Sequence, residues 1–345
     1  MTDPRSHSRV TMVDVAKYAG VSIATVSRVI NQTASVAPNT EAGVRAAIIE
    51  LNYHPHLTAQ ALASRRTHTL GLYLPAIGGD FFPPLLRGIE AGARENHFGL
   101  LIYSTAEDSA PSGLASYPLG EHNTDGIVVF VDSLSDEELE CFHQIEFPVV
   151  LIHRSSPPGL NIPCVTIENK HGAHMLVDHL IDVHAYRRIA FLAGREEHED
   201  SYWREMGYRE SLAAHGIPSD PHLVATGSFD RQEAQAATEC WLMEGVEFDA
   251  VFSSDDESAI GVLAALSRAG KRVPQEIAVV GFDDTDLSRY LNPPLTTVRA
   301  PIEQVGRQAI EQLVRLIRGG QAEPLVLLPT ELIVRRSCGC SYGGE

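Results

Sequence analysis

From Thr69 onward, short apolar runs alternate with longer stretches of helical pattern, and few folds satisfy this alternation. The apolar runs have the length of strands and form two successive sets of four. They lie at 70–74, 99–103, 126–131 and 148–152, and then at 188–194, 223–227, 249–254 and 277–282. Strands that alternate with helices form βαβ units around a parallel sheet. The sequence therefore predicts an α/β core of two doubly wound parallel-sheet lobes over residues 69–345.

Three further stretches are candidates for crossovers between the two lobes. They are 164–169, 295–298 together with a helix over 301–317, and a last strand near 325–334. The first lobe is accordingly predicted at about 69–166 and 299–324, and the second at about 167–298 and 325–340. Residues 106–122 hold two prolines and two glycines where an amphipathic helix is expected, so that connection is predicted to be short or irregular.

Residues 11–31 carry the signals of two short helices joined by a tight turn. Thr11 and Asp14 have the spacing of a capping box for the first helix, and Ser22 is a suitable N-cap for the second. Gly20 tolerates the positive φ that the turn requires. The apolar stripe of the second helix consists of Val26, Val29 and Ile30. This pattern predicts either a helix-turn-helix, whose second helix enters a DNA major groove, or an αα-hairpin that packs against another surface.

A third helix is predicted from Pro38 to Leu51, with Ala37 as a weak N-cap. The whole segment resembles the amino-terminal signature of the lactose-repressor (LacI-type) family. The matching motifs are DVA at 14–16, GVS at 20–22, TVSRV at 25–29, Asn31, LNY at 51–53 and Pro55. The resemblance implies that residues 1–56 form an all-α DNA-binding headpiece of the helix-turn-helix type.

By the same resemblance, side chains of the second helix read base edges in the major groove. These are Ile23, Ala24 and Arg28. Arginine can donate two hydrogen bonds to guanine, whereas isoleucine and alanine offer only apolar contact, which favours a thymine methyl group. Contacts to phosphates are expected from Thr25, Ser27, Asn31 and Tyr53. Thr25 and Ser27 could equally hydrogen-bond within their own helix.

Residues 57–68 contain helix-forming side chains, but an isolated helix shorter than about 12–15 residues is marginal in water, so this segment is not expected to be stable alone. In LacI-type proteins this segment is a hinge helix that folds on DNA and pairs with the hinge of a second protomer. The resemblance assigns Leu62 to the position that wedges into the minor groove, with Ala59 beside it. The alternative for Leu62 is an ordinary linker leucine.

The core also resembles that of LacI-type repressors, which shares the fold of periplasmic sugar-binding proteins. The matching motifs are Arg204 with Gly207 and Tyr208, Gly227 with Phe229, SSDDESAIG at 253–261, VVGFDD at 279–284 and PPLTTV at 293–298. Carried over residue by residue, Arg204, Asp255 and Asp283 contact the effector, and Phe229 stacks on it. Carboxylates and a guanidinium can hold adjacent hydroxyls while an aromatic face covers a pyranose ring, so the expected effector is a sugar.

In such folds ligands bind at the carboxyl ends of strands, so residues that follow strands are further candidates. These are Asp80, Phe81 and His153. Phe81 and its neighbour Phe82 could instead be core residues of the first lobe. By the resemblance, His153 stands where sugar-responsive relatives often have Asp, which leaves open either a different pattern of ligand hydroxyls or a partly anionic ligand. Asp256 and Asp284 are expected to cap the helices that follow them.

The formal net charge of −18 is unevenly distributed along the chain. Residues 1–66 carry seven basic and four acidic side chains, a net charge of +3, which leaves −21 on the remainder. Because one polyanion repels another at long range, only the headpiece and hinge are expected to contact DNA.

The sequence favours a cytoplasmic protein without membrane contact. No apolar stretch approaches the roughly 18 residues of a membrane helix, and the amino terminus has no apolar signal core. Five cysteines, an odd number, do not form a disulfide framework and fit a reducing compartment.

Signature motifs of common enzymes do not occur: there is no P-loop, no GxGxxG after a strand, no GxSxG and no HExxH. No catalytic residue, cofactor or metal is therefore assigned. His171 with His174, and His179 with His184, are interpreted as surface histidines rather than metal ligands. Cys338 and Cys340 could bind a metal or form a redox pair, but a reduced, exposed tail is the favoured interpretation.

Together these features predict a ligand-responsive transcriptional repressor of carbohydrate-utilisation genes rather than an enzyme. It is expected to bind a palindromic double-stranded operator as a homodimer, because each headpiece reads one half-site, and to be released by a sugar. Two alternatives stay open. One is a regulator with a corepressor, or with a nucleobase or sugar-phosphate effector; the other is a sugar-binding or sugar-modifying protein with an accessory DNA-binding domain.

Overall fold

The computed structural model describes residues 10–31, 34–53, 66–105, 117–196 and 198–341. The chain divides into two compact units, Met1–His68 and Thr69–Glu345. This division falls at the predicted junction between hinge and core. Most of the predicted hinge, including Ala59 and Leu62, lies outside the described residues, as does most of the connection over 106–122.

The described part of the headpiece contains α1 (Met12–Ala19), α2 (Ile23–Asn31) and α3 (Pro38–Glu50). The predicted start and stop signals are in place. The Asp14 carboxylate accepts hydrogen bonds from the Thr11 amide at 2.8 Å and from the Thr11 hydroxyl at 2.7 Å. Gly20 follows α1 with a φ of 66°, and Ser22 Oγ accepts a hydrogen bond from the Thr25 amide at 3.1 Å. The two-helix prediction is confirmed.

A small apolar core holds these helices together. It consists of Val15, Ala16, Val26, Val29, Val44, Ala47 and Tyr53. Burying a side chain of valine size contributes about 1.5–3 kcal/mol. Helices of 8 to 13 residues are marginal alone, so each depends on packing against the others.

The first lobe of the core is built on a parallel sheet. Its strands are β1 (Thr69–Leu74), β2 (Gly99–Ser104), β3 (Gly126–Phe130), β4 (Val149–Ile152), β5 (Cys164–Ile167) and β11 (Leu325–Leu328). Their spatial order is β11-β5-β4-β3-β1-β2, with parallel pairing throughout. Strands β3 and β4 are buried along their whole length, which is why they read as continuous apolar runs.

The second lobe repeats this plan. Its strands are β6 (Ile189–Ala193), β7 (Val224–Thr226), β8 (Ala250–Ser253), β9 (Ala278–Asp283), β10 (Thr296–Arg299) and β12 (Glu331–Ile333). Their order is β12-β10-β9-β8-β6-β7, and β12 alone is antiparallel to its neighbour in the described sheet. The prediction of two doubly wound lobes is confirmed.

Helices cover both sheets. In the first lobe they are α4 (Phe82–Glu95), α5 (Asp136–Gln144) and α10 (Ile302–Ile317); in the second they are α6 (Asn169–His184), α7 (Glu199–Ala214), α8 (Arg231–Met243) and α9 (Asp256–Arg268). Helices α4 and α10 pack so closely that a Cβ at Gly88 would lie 1.9 Å from the Glu303 carbonyl oxygen. Among the described residues, no helix is both long and apolar enough to cross a membrane.

The last predicted strand, 325–334, is in fact two strands in different lobes. Strand β11 pairs with β5 of the first lobe, and β12 pairs with β10 of the second. Residues 325–328 therefore belong to the first lobe rather than the second. The split could not be read from the sequence because both strands are short and the backbone partner decides the sheet.

Candidate functional site

A cavity of about 1850 Å³ lies between the two lobes, at the carboxyl ends of their strands. Six of the seven effector-binding residues predicted from the sequence line it. They are Asp80, Phe81, Arg204, Phe229, Asp255 and Asp283. The seventh, His153, lies outside this lining.

Arg204 is held rigidly on α7 by groups on four sides. Its Nε donates to Asn169 Oδ1 at 2.8 Å, and its Nη1 donates to the Ser254 carbonyl at 2.5 Å. Its Nη2 lies 3.4 Å from Asp283 Oδ1, and the guanidinium carbon lies 3.9 Å from the centre of the Phe282 ring. A guanidinium fixed in this way loses little side-chain entropy when it binds a ligand.

Burial removes two carboxyl groups of the cavity from water. Burial raises the pKa of Asp255 to about 6, although hydrogen bonds from Ser258 act in the opposite direction. Burial also raises the pKa of Asp283 well above its usual value, although Arg204 lowers it. A ligand hydroxyl that donates to either carboxylate would replace solvation lost on burial.

An aromatic side chain stands on each side of the cavity. The ring of Phe229 covers Gly194 so closely that a Cβ at that glycine would lie 2.1 Å from the ring. On the side of the first lobe, Phe81 makes edge-to-face contacts with Phe82 at 5.4 Å and with Phe130 at 5.9 Å between ring centres. Phe81 and Phe82 thus pack on the core and also line the cavity.

Backbone strain is concentrated at this edge of the sheets. Residues with positive φ include Asp132 at 63°, His153 at 57°, Phe229 at 59° and Asp283 at 109°. Such a conformation costs of the order of 1–3 kcal/mol per residue outside glycine. Retention of such a strained backbone at strand ends beside one cleft is typical of a functional site.

His153 joins the lobes instead of facing the cavity. Its side chain has no exposed surface, and its Nδ1 lies 3.0 Å from Asp200 Oδ2 of the other lobe. Although burial opposes the effect, His153 and Arg204 hold the pKa of Asp200 below its usual value. His153 is therefore coupled to the cavity through Asp200 and Arg204.

Two further bridges join the lobes along the cleft. The amide and hydroxyl of Ser155 donate to the Glu199 carboxylate at 2.9 and 2.8 Å. Arg231 Nη2, on the second lobe, lies 3.3 Å from Asp80 Oδ2, on the first. Any ligand that moves these groups alters the relative position of the lobes.

The expected capping roles of Asp256 and Asp284 are wrong. It is Asp255 that caps α9, by accepting a hydrogen bond from the Ser258 amide at 3.1 Å. Asp256 instead accepts hydrogen bonds from three buried residues of neighbouring segments, Thr285, Ser288 and Thr297. Asp284 pairs with Arg299 at 2.8 Å and with Arg335 at 2.5 Å.

Sequence reasoning missed Asn169, Asp200 and Arg231. Asn169 begins the helix that follows β5, and the other two lie in the first turns of α7 and α8, so position after a strand was a usable signal. Some of their partners are distant in the chain: Asp200 is 31 residues from Asn169, and Asp80 is 151 residues from Arg231. Only the fold reveals those contacts.

The predicted base-reading residues Ile23, Ala24 and Arg28 are exposed on α2. The Thr25 hydroxyl lies 2.9 Å from Ser22 Oγ, which is the local hydrogen bond expected as its alternative role. Tyr53, a predicted phosphate contact, is 6% exposed and packs in the headpiece core. The side chain of Asn31 lies outside the described residues, and Ser27 is partly buried.

Comparison with known proteins accounts for both units. Residues 11–56 match the family described as bacterial regulatory proteins, lacI family, and residues 177–338 match a periplasmic binding protein-like domain. The transcriptional regulator GalS of Salmonella typhimurium is 34% identical over 302 residues, which are 88% of each chain. The chain belongs to the lacI family.

Other members support this assignment over nearly the whole chain. The regulator CelR of Thermobifida fusca is 33% identical, covering 95% of this chain and 98% of its own. A solved complex of a regulator CelR with cellobiose matches with a TM-score of 0.70 and 33% identity over 95% of this chain and all of the other. A lac repressor dimer bound to operator and the anti-inducer ONPF matches with a TM-score of 0.83 and 26% identity, over 96% and 99% of the two chains.

This lacI-family member is a DNA-binding transcriptional regulator and not an enzyme, as the sequence predicts. Its family accounts for the joining of a helix-turn-helix headpiece to a two-lobed core.

Proposed function

We propose that this lacI-family regulator represses genes of carbohydrate use by binding a palindromic operator, and that a sugar in the cleft releases it. One observation carries the proposal. The cleft places the fixed guanidinium of Arg204 beside the carboxyl groups of Asp283 and Asp255, with the ring of Phe229 among the lining residues. Adjacent hydroxyls and an apolar C–H face, the two features of a pyranose, match this arrangement.

The relatives support both the sugar effector and the operator DNA of the proposal. The CelR regulator was solved with cellobiose, and the lac repressor dimer was solved on its operator. For this chain, we assign the effector contacts to residues that line the cavity, namely Asp80, Phe81, Arg204, Phe229, Asp255 and Asp283. In the same proposal, His153 influences the effector site indirectly, through its contact with Asp200.

On the DNA side, Arg28 reads guanine, while Ile23 and Ala24 make apolar contacts in the major groove. Thr25, Ser27 and Asn31 contact phosphates, and the headpiece core holds Tyr53 in a packing role. Leu62, with Ala59 beside it, wedges into the minor groove at the operator centre.

Effector binding is coupled to DNA through lobe closure. The effector contacts come from both lobes, with Asp80 and Phe81 on the first and Arg204, Phe229 and Asp283 on the second. A ligand that binds the closed cleft more tightly than the open one shifts the lobes toward closure. In a dimer, that shift separates the two hinges and lowers operator affinity.

A homodimer follows from the two-fold symmetry of a palindromic operator. Strand β2 lies at the edge of its described sheet, and its Leu101 and Ile102 are each 40% exposed. Apolar side chains on an open sheet edge support a contact with a second copy. We place the protein in the cytoplasm, where operator DNA is accessible.

A thermal-shift panel of mono- and disaccharides, sugar phosphates and nucleobases tests the effector assignment. We expect at least one neutral sugar to raise the melting temperature of the full chain. Operators selected from random duplexes should be palindromic, and the same sugar should release them in fluorescence anisotropy. A panel in which only nucleobases bind would overturn the sugar assignment.

A sugar phosphate is the second candidate effector, because arginines also line the cavity. Arg195 and Arg231 are half exposed there, and arginine binds phosphate in a bidentate fashion. In that case the phosphorylated sugar should bind more tightly than the free sugar. If the protein binds its operator more tightly with the ligand than without it, the ligand acts as a corepressor.

A further inference from the structure

Four side chains that bind metals in other proteins converge at one end of the second lobe. They are His179, His184, Cys338 and Cys340. One nitrogen or sulfur atom from each lies within 4.8 Å of all the others. The expectation that the tail is exposed is therefore wrong for these two cysteines: both are free thiols, but Cys338 is fully buried and Cys340 is half-buried.

Three of the six distances between these atoms match those of a tetrahedral site, and all six are within 4.8 Å. His179 Nε2 lies 3.5 Å from Cys338 Sγ and 3.7 Å from Cys340 Sγ, and His184 Nε2 lies 3.4 Å from Cys340 Sγ. Zinc binds nitrogen at about 2.0–2.1 Å and sulfur at about 2.3 Å, so neighbouring ligands in a tetrahedral site are about 3.5 Å apart. The three separations fall within about 0.2 Å of that value.

Local structure explains how a C-x-C segment can offer both sulfurs to one point. Gly339 has a φ of 109°, a conformation that side chains with a Cβ rarely adopt, and it lies close to His184. The Tyr186 hydroxyl donates to the Cys338 carbonyl at 3.1 Å, and the Tyr186 ring stacks on His184 at 5.3 Å. These contacts hold the segment that carries the two cysteines next to the His184 imidazole.

We propose that His179, His184, Cys338 and Cys340 form a structural Zn²⁺ site that attaches the carboxyl-terminal tail to the end of α6. All four coordination positions are supplied by protein, as in structural rather than catalytic zinc sites. The mixture of two thiolates and two imidazoles favours Zn²⁺ over Mg²⁺, Ca²⁺ or Mn²⁺, which prefer oxygen.

The position of the site indicates what it stabilises. Next to Cys338, the Ser337 hydroxyl accepts a hydrogen bond from the Thr296 amide at 2.8 Å, and the Ser337 carbonyl accepts one from the Val279 amide at 3.0 Å. The tail thus contacts β9 and β10 as well as α6. The ion joins residues more than 150 positions apart in the chain, so its binding energy adds to the stability of the second lobe.

The site can be tested on the full chain without knowledge of effector or operator. We expect the protein purified under reducing conditions to contain about one zinc per chain by mass spectrometry of metals. After removal of zinc by a chelator, added Co²⁺ should give the visible absorption of a tetrahedral complex and a thiolate charge-transfer band. Returning Zn²⁺ should abolish that spectrum and raise the melting temperature.

Variants separate the cluster from other cysteines and histidines. Cys340→Ser and His184→Gln should lower the zinc content at least tenfold, whereas Cys240→Ser and His222→Gln, at exposed positions outside the cluster, should retain it. Circular dichroism verifies that each variant is folded. If the chelated wild type takes up neither ion, or if Cys340→Ser and His184→Gln bind both as the wild type does, the proposal is overturned. A Cys338–Cys340 disulfide in the reduced preparation, seen by intact mass, would also overturn it.

Discussion

The Nη2 atom of Arg204 lies 3.4 Å from Asp283 Oδ1, and both side chains are less than one-tenth exposed although both line the cleft. This pair is loose compared with a direct charge-assisted hydrogen bond of about 2.7–2.9 Å. Asp283 therefore keeps free capacity to accept hydrogen bonds from a ligand while it remains in contact with the guanidinium.

Replacing Asp283 by Asn should weaken effector binding by about 10- to 100-fold, which corresponds to the 1.5–3 kcal/mol of one hydrogen bond to a charged group. Operator affinity without effector should change less than about twofold. Asp286→Asn is the matched control, since Asp286 is largely exposed and pairs with Arg289. Isothermal titration with the effector and anisotropy with the operator measure the two affinities. An unchanged effector affinity in Asp283→Asn would place the ligand elsewhere.

Gly194→Ala should displace the Phe229 ring, because the new Cβ would lie 2.1 Å from it. We expect this variant to lose effector affinity as Phe229→Ala does. In the Phe229→Ala background, the same glycine substitution should have little further effect, since the clashing ring is gone. Titration of wild type, both single variants and the double variant gives the coupling energy. Additive losses would show that the two positions act independently.

The unfolding free energy should depend on pH through Asp256. Burial raises the pKa of Asp256 to about 7, in spite of hydrogen bonds from Ser288, Thr297 and Thr285. The unfolded carboxyl has a pKa of about 3.9, so between these values the folded state binds more protons, and stability falls as pH rises.

Asp256→Asn removes this titration. The stability of the wild type relative to the variant should therefore be greatest near pH 4 and should decline until about pH 7. Urea denaturation at several pH values measures the difference in unfolding free energy between the wild type and Asp256→Asn, and Asp286→Asn serves as the control. A wild-type advantage that grows with pH would show that the carboxylate, rather than the acid, is the stabilised form.

Arg28→Lys should lower affinity for the operator by about 1–3 kcal/mol, because lysine cannot donate the paired hydrogen bonds that arginine directs at guanine. Binding to random DNA should hardly change, since the positive charge is kept. Arg45→Lys is the control: Arg45 lies on α3 and pairs with Glu41 at 2.7 Å. Parallel titrations with the operator and with a random duplex measure the ratio of the two affinities. Equal losses of affinity on both duplexes would show that Arg28 contacts phosphate rather than guanine.

The headpiece helices and the positions of most strands along the chain were predictable because their signals are local. Gly20 has the positive φ of a turn, and Ser22 caps α2, as their residue types require. In β3 and β4 every residue is buried, so the apolar runs in the sequence mark the strands directly. The motifs around Arg204, Phe229, Asp255 and Asp283 likewise identified cavity residues from sequence alone.

Tertiary structure decided what depends on a distant partner. His153 follows a strand as a ligand contact would, yet it pairs with Asp200 across the lobes at 3.0 Å. Asp256 precedes a helix, yet its carboxylate accepts hydrogen bonds from residues 29 to 41 positions away.

The amino-acid sequence by itself determined the headpiece helices and the two-lobed core, because caps, turns and apolar periodicity act over a few residues. Most of the cleft residues followed from the resemblance of their motifs to the LacI-type family. Only the tertiary structure brought Cys338 and Cys340 to His179 and His184, and it also divided the last strand between the lobes. Those outcomes depend on which distant segments the packed sheets and helices bring into contact, and such contacts leave no periodic pattern in the chain.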